Sequence, residues 1–216
     1  TNVYDLVFST SGVTGTITWT IDITTPLAHN LKYAVKSTAQ DWANNSELSP
    51  KTIYFTCDKL GPTVSISTPT DNGNYGPNKL LGTINGNASD TPAGVSKIEL
   101  KIQDLTQGTT YWSGYLSQWV SYSTWGVSVG VANPWSYNVP FSWPENHNFQ
   151  VQARAYDSAG NFTESSLNTF VFDSTRPVSG IIDPDVTFER TLSVIAGTAE
   201  DIDTDPGPGI IRSGLD

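Results

Sequence analysis

The chain has 216 residues, 37% of them hydrophobic and 15% charged, with 21 acidic against 11 basic side chains and a formal net charge of −10. This is the composition of a folded protein with room for one large or two modest domains. It argues against a nucleic-acid partner, which would need clustered Lys and Arg, and no apolar run approaches the ~20 residues of a membrane-crossing helix, so no membrane insertion is expected in this segment.

The chain opens on Thr1 and contains no methionine, which predicts a processed piece or an excerpt of something longer. Along the chain the apolar residues alternate. Ile98, Leu100 and Ile102 share one face, with Lys97, Glu99, Lys101 and Gln103 on the other. Val127, Val129 and Val131 repeat the pattern, as do Phe149, Val151, Ala153 and Ala155 against Gln150, Gln152 and Arg154. A period of two is what a half-buried strand requires. Asp71-Asn72-Gly73-Asn74, Asn85-Gly86-Asn87 and Ala159-Gly160-Asn161 read as turns between such strands. No amphipathic helical stretch exceeds two turns, so the expected class is all-β.

The chain also repeats itself at about 115 residues. Tyr33 to Asn45 returns as Phe149 to Asn161, Trp19 as Trp135, and Asp58-x-x-x-Pro62 as Asp173-x-x-x-Pro177. A third copy begins with Pro177 to Pro184 matching Pro62 to Pro69, and Ile84-x-Gly86-x-Ala88-x-Asp90 returns as Ile195-x-Gly197-x-Ala199-x-Asp201. The expected organisation is the back part of one domain over 1–61, a complete domain over 62–176, and the front part of a following domain over 177–216.

The segment Ala155-x-Asp157-x-Ala159-Gly160-Asn161, followed by an apolar strand and Asp173-x-x-x-Pro177, resembles the bacterial Ig-like repeats of large secreted and cell-surface proteins. Ile84-x-Gly86-x-Ala88-x-Asp90 and Gly94-Val95-x-x-Ile98 are similar to the front half of the same repeats. The resemblance implies immunoglobulin-like Greek-key β-sandwich domains in tandem, on a cell surface, with spacer, adhesive or scaffold roles. The long aromatic stretch from about 104 to 144 departs from a compact example of the family.

Candidate site residues are few. Asp201, Asp203 and Asp205 place three acids at alternate positions and form the best candidate metal loop, with calcium the fitting ion, although the Gly and closing Glu of an EF-hand are missing. The alternative is a solvated acidic loop. Asp157 to Asn161 reads either as a hairpin connection or as a calcium loop. Trp112, Trp119, Trp125 and Trp143 fall in the Gly/Ser-rich aromatic block, either packing within the domain or forming a contact surface for protein or glycan. Trp135, matched by Trp19, reads as core. Asn44, Asn87 and Asn161 begin glycosylation sequons. Cys57, the single cysteine, aligns with Phe172 and is expected to face the core.

His29 and His147 fall in matching turns of different repeats, and no nucleophile elbow, zinc-protease helix or paired-cysteine motif occurs, so no enzyme is expected. The expected function is a structural or adhesive segment of an extracellular surface protein (adhesin, surface layer or filament subunit). Its partners would be other copies or neighbouring repeats. The end pieces look like complementary halves of one repeat, so copies could assemble head to tail, unless the phase of the chain is that of an arbitrary excerpt. The alternative function is a carbohydrate-binding accessory module of a secreted enzyme.

Overall fold

The computed structural model describes residues 3–11, 20, 23, 26–106, 110–185, 187–188 and 190–201. It divides into two compact units. The first comprises Thr1–Pro62 with two short turns, Ser89–Ser96 and Tyr156–Thr163; the second comprises Thr63–Ala88, Lys97–Ala155 and Glu164–Asp216. All regular structure among the described residues is β.

The first unit carries a three-stranded sheet. Strand β1 (Val3–Ser11) runs parallel to β2 (Leu31–Gln40), and β3 (Thr52–Cys57) runs antiparallel on the other side of β2. Val35 lies opposite Ile53, and Tyr33 lies opposite Phe55, their rings stacked at 5.5 Å. Tyr33 is buried on this face, where Val35 is half-buried and Ile53 exposed, and Ala34 is buried on the opposite face. Cys57 ends β3 half-buried.

The middle repeat is a sandwich of two sheets. Strands β4 (Thr63–Thr68), β6 (Thr83–Ser89) and β11 (Trp135–Asn138) make the smaller sheet, in the order β11-β6-β4. The larger, eight-stranded sheet is built on β5 (Gly73–Tyr75), β7 (Val95–Asp104), β8 (Thr110–Ser113), β9 (Gln118–Val120), β12 (His147–Asp157) and β14 (Asn168–Phe172), in the order β5-β14-β12-β7-β8-β9. To it are added β10 (Val127–Val129), paired with β7, and β13 (Phe162–Glu164), paired with β12. Ile98, Leu100, Ile102, Phe149, Val151, Ala153 and Ala155 are fully buried, which realises the period of two read in the sequence. From the smaller sheet Ile84 and Trp135 are equally closed to solvent. The alternation around Val127 stops at Val129, because Val131 lies beyond β10 and is exposed.

One turn reading is overturned. Asn85-Gly86-Asn87 lies inside β6, and Gly86 is there for close approach: a Cβ would collide with the Ser65 carbonyl oxygen and the Trp135 ring. The same device recurs in the third repeat, where β15 (Val178–Asp183) pairs with β16 (Ala196–Glu200). A Cβ on Gly197 would stand 2.5 Å from the Gly180 carbonyl oxygen. Gly180 lies 115 residues after Ser65, so the repeat extends to the packing of individual backbone atoms.

Candidate functional site

The richest cluster of polar chemistry lies within the first unit, where Asp58 to Pro62 meets the turns that follow β6 and β12. Strand β12 ends at Asp157, whose side chain closes the next turn on itself. Its Oδ1 accepts the backbone N–H of Ala159 and of Asn161, both at 2.8 Å, and its Oδ2 accepts the Asn161 side-chain amide at 2.7 Å. Gly160 supplies the left-handed backbone (φ +93°) that lets so short a turn close. This is the hairpin connection expected for Asp157 to Asn161.

Asn161 reaches further. Its side-chain nitrogen lies 3.3 Å from the carbonyl oxygens of both Asp58 and Leu60. Asp58 in turn accepts Leu60 N–H at 3.1 Å on Oδ1 and Ala93 N–H at 3.0 Å on Oδ2, while His29 Nδ1 stands 3.2 Å from Oδ1. In the turn after β6, Asp90 accepts Gly94 N–H at 2.9 Å. Ser158 N–H donates to the Gly94 carbonyl and Ser96 Oγ to that of Asp157. Gly61 lies so close to Thr163 that a Cβ would sit 2.6 Å from Oγ1. Three chain segments are thereby clasped together.

Asp58, Asp90 and Asp157 each bring one carboxylate oxygen into a group whose members all lie within 4.8 Å of one another. At an effective dielectric near 20, like charges at that spacing repel by about 3 kcal/mol per pair. A hard cation bound at about 2.4 Å holds ligand oxygens up to about 4.8 Å apart, so the spacing fits calcium and its preference for carboxylates. Burial pushes the Asp157 carboxyl upward, but hydrogen bonds from the Asn161 amide and from backbone N–H groups outweigh it and hold the group below the usual carboxylate range. Of Asp58, Asp90 and Asp157, the sequence singles out only Asp157 as a calcium candidate. The recurrence of Asp58 and Asp90 at Asp173 and Asp201 is the signal that could have found them. Of the candidate loop Asp201, Asp203 and Asp205, Asp201 follows β16 and the other two lie outside the described residues, as does Trp19.

The aromatic contact surface is corrected. Trp112 and Trp143 are buried, and with Trp119, Phe141, Phe149 and Phe170 they form one continuous ring cluster, with centroids 4.3–6.0 Å apart. Two indole nitrogens find internal acceptors: Trp143 donates to the Leu81 carbonyl at 2.8 Å and Trp112 to the Tyr137 hydroxyl at 3.1 Å. Trp125 is half-buried, with Lys101 and Arg154 over its ring at 4.8 and 4.2 Å. The long stretch folds as β8 to β11 and supplies its own hydrophobic filling. Tyr115 and Tyr122 remain exposed.

Of the sequons, Asn44 and Asn87 are exposed, whereas the Asn161 nitrogen is engaged in the clasp and a glycan there would displace its partners. His147 Nδ1 meets Asp104 Oδ2 at 2.6 Å where β12 begins, so the two matching histidines sit on separate aspartates.

Residues 62–151 match the family model described as "Bacterial Ig domain". No curated protein matches the sequence. Among solved structures, the chain is similar to fibronectin(III)-like modules of CbhA from Clostridium thermocellum, at 17% identity and a TM-score of 0.33. That likeness covers 51% of this chain and 96% of the other.

Proposed function

We propose, on the premise that residues 62–151 are a bacterial Ig domain, that the chain is a structural or adhesive segment of an extracellular surface protein, of the adhesin, surface-layer or filament kind. Bacterial Ig domains are structural or accessory modules of extracellular proteins, and such families are typically non-catalytic. The observation that carries the structural reading is the clasp at Asp58, Asp90, Asp157 and Asn161. Its hydrogen bonds tie the connector Asp58–Pro62 to the turns that follow β6 and β12, which is what a segment that transmits tension needs.

The burial of Trp112 and Trp143 favours this reading over a carbohydrate-binding accessory module. Titrating tryptophan fluorescence with a panel of polysaccharides is expected to leave the emission unchanged. A saturable change on any of them would favour the accessory module instead.

A further inference from the structure

A cavity of about 230 Å³ lies wholly within the second unit, where the turn after β5 meets the segment that follows β14. Asn74, Tyr75, Asn78, Lys79, Asp173 and Arg176 are among the residues that line it. Its two walls are fixed to each other. Asp173 N–H donates to the Tyr75 carbonyl at 2.9 Å, and a Cβ on Gly76 would collide with the Asp173 carbonyl oxygen. Each wall is also held internally. Gly76 and Lys79 exchange backbone hydrogen bonds at 3.2 and 3.0 Å across the Pro77-Asn78 turn. On the other wall Glu145 accepts Ser174 N–H at 2.7 Å and the hydroxyls of Ser174 and Thr175, while Asp173 Oδ1 accepts Thr175 N–H at 2.9 Å.

The carboxylates beside this cavity are thus engaged by the segment's own donors, whereas its cations and amides are not. Lys79 and Arg176 form no ion pair among the described residues, and the Asn74 and Asn78 side chains form no hydrogen bond there. Lys79 Nζ stands 4.9 Å from the centroid of the Tyr75 ring, whose hydroxyl accepts Thr70 N–H at 3.0 Å, so the ammonium rests on a fixed support. In a chain of net charge −10, two cations line this cavity against the single acid Asp173. We infer that it binds a carboxylate carried on a sugar ring, a uronate unit. Lys79 and Arg176 take the carboxylate. The Asn74 and Asn78 amides, which both donate and accept, take the ring hydroxyls. An acidic peptide side chain would engage the cations but offer no hydroxyl to the amides. The volume falls below the roughly 300–1,000 Å³ of pockets for drug-sized ligands, which leaves room for about one ring. The inference goes beyond the structural reading and does not depend on it.

Titrating the full 216-residue chain with sodium glucuronate, read by amide chemical shifts, tests it. Saturable shifts are expected at Asn74 to Lys79 and at Asp173 to Arg176, and they should weaken at high salt. Glucose, which has the ring without the carboxylate, should produce none. Lys79→Gln and Arg176→Gln, both at exposed positions, should each weaken binding about tenfold with unchanged circular dichroism. Lys59→Gln, at a cation outside the cavity, should leave the affinity as it is. No saturable shift with glucuronate, an equal response to glucose or to a short polyglutamate peptide, or indifference to both cavity substitutions would overturn the inference. No tryptophan lines the cavity, so this titration and the tryptophan emission fail independently.

Discussion

Asp157 and Asn161 are bonded twice: the carboxylate holds the Asn161 backbone N–H on one oxygen and its side-chain amide on the other. Asp41 and Asn45 form the same pair in the first repeat, with both contacts at 2.8 Å. The two turns differ in what surrounds them. Asp157 is 3% exposed and Asn161 extends to the Asp58 and Leu60 carbonyls, whereas the Asp41–Asn45 hydrogen bonds are solvent-exposed.

Equal local geometry with unequal burial predicts unequal cost. Asn161→Ala removes the amide and leaves a buried carboxylate short of a donor, which should cost about 1–3 kcal/mol. Asn45→Ala leaves the Asp41 carboxylate to water that already reaches it, and should cost distinctly less. Urea denaturation of the two variants against the parent chain measures the difference. Equal losses would mean that the clasp adds nothing to the turn.

The strands were legible because burial on one face forces alternation, and alternation is visible in one sequence. Ile98 to Ile102 and Phe149 to Ala155 became β7 and β12 on those terms. Asn85-Gly86-Asn87 misled because the residue that frees a turn also lets two strands and an indole ring approach, and composition does not distinguish the uses. The tryptophans misled for a related reason. Gly- and Ser-rich surroundings suggest exposure, yet Trp112 and Trp143 pack against Phe141, which lies outside the strands and has no periodicity to announce it. The clasp joins positions 58, 90 and 157, and proximity across such separations is not written in spacing; only the recurrence of each acid in the next repeat hinted at it.

Acid should loosen the clasp. In the folded chain Asp157 is held below the ordinary carboxylate value, so the unfolded chain takes up its proton first as the pH falls. The stabilisation is fully present above about pH 4 and is lost as the pH drops through the lower folded value. Asp41 and Asp71 are shifted the same way by hydrogen bonds from Asn45 and Thr169, and Glu99 by Lys97 and Arg154 against its own desolvation. Melting temperatures from pH 7 to pH 3 should therefore decline most steeply below about pH 4. Asp157→Asn keeps an oxygen for the two backbone donors but sets an amide against the Asn161 amide, so it should melt lower at pH 7 and fall less steeply with acid. A parallel decline in both proteins would remove Asp157 from the acid response.

Calcium should act at the same place in the opposite direction. Three carboxylates within 4.8 Å repel one another whether or not hydrogen bonds fix their positions, and a divalent cation between them turns that repulsion into attraction. Asp58 Oδ2 and Asp90 Oδ2, which accept from Ala93 and Gly94, each have a second lone pair, and Asp157 has one on Oδ2, so these donors need not leave. Binding to the folded chain alone raises the melting temperature by mass action, about 2.7 kcal/mol of added stability at a hundredfold excess over the dissociation constant. Millimolar calcium should thus shift the melting curve upward and EDTA should reverse the shift. Asp90→Asn should abolish the increment while leaving the calcium-free curve nearly in place, because its amide oxygen still accepts from Gly94. A curve indifferent to calcium in the parent chain would leave the clasp to hydrogen bonds alone.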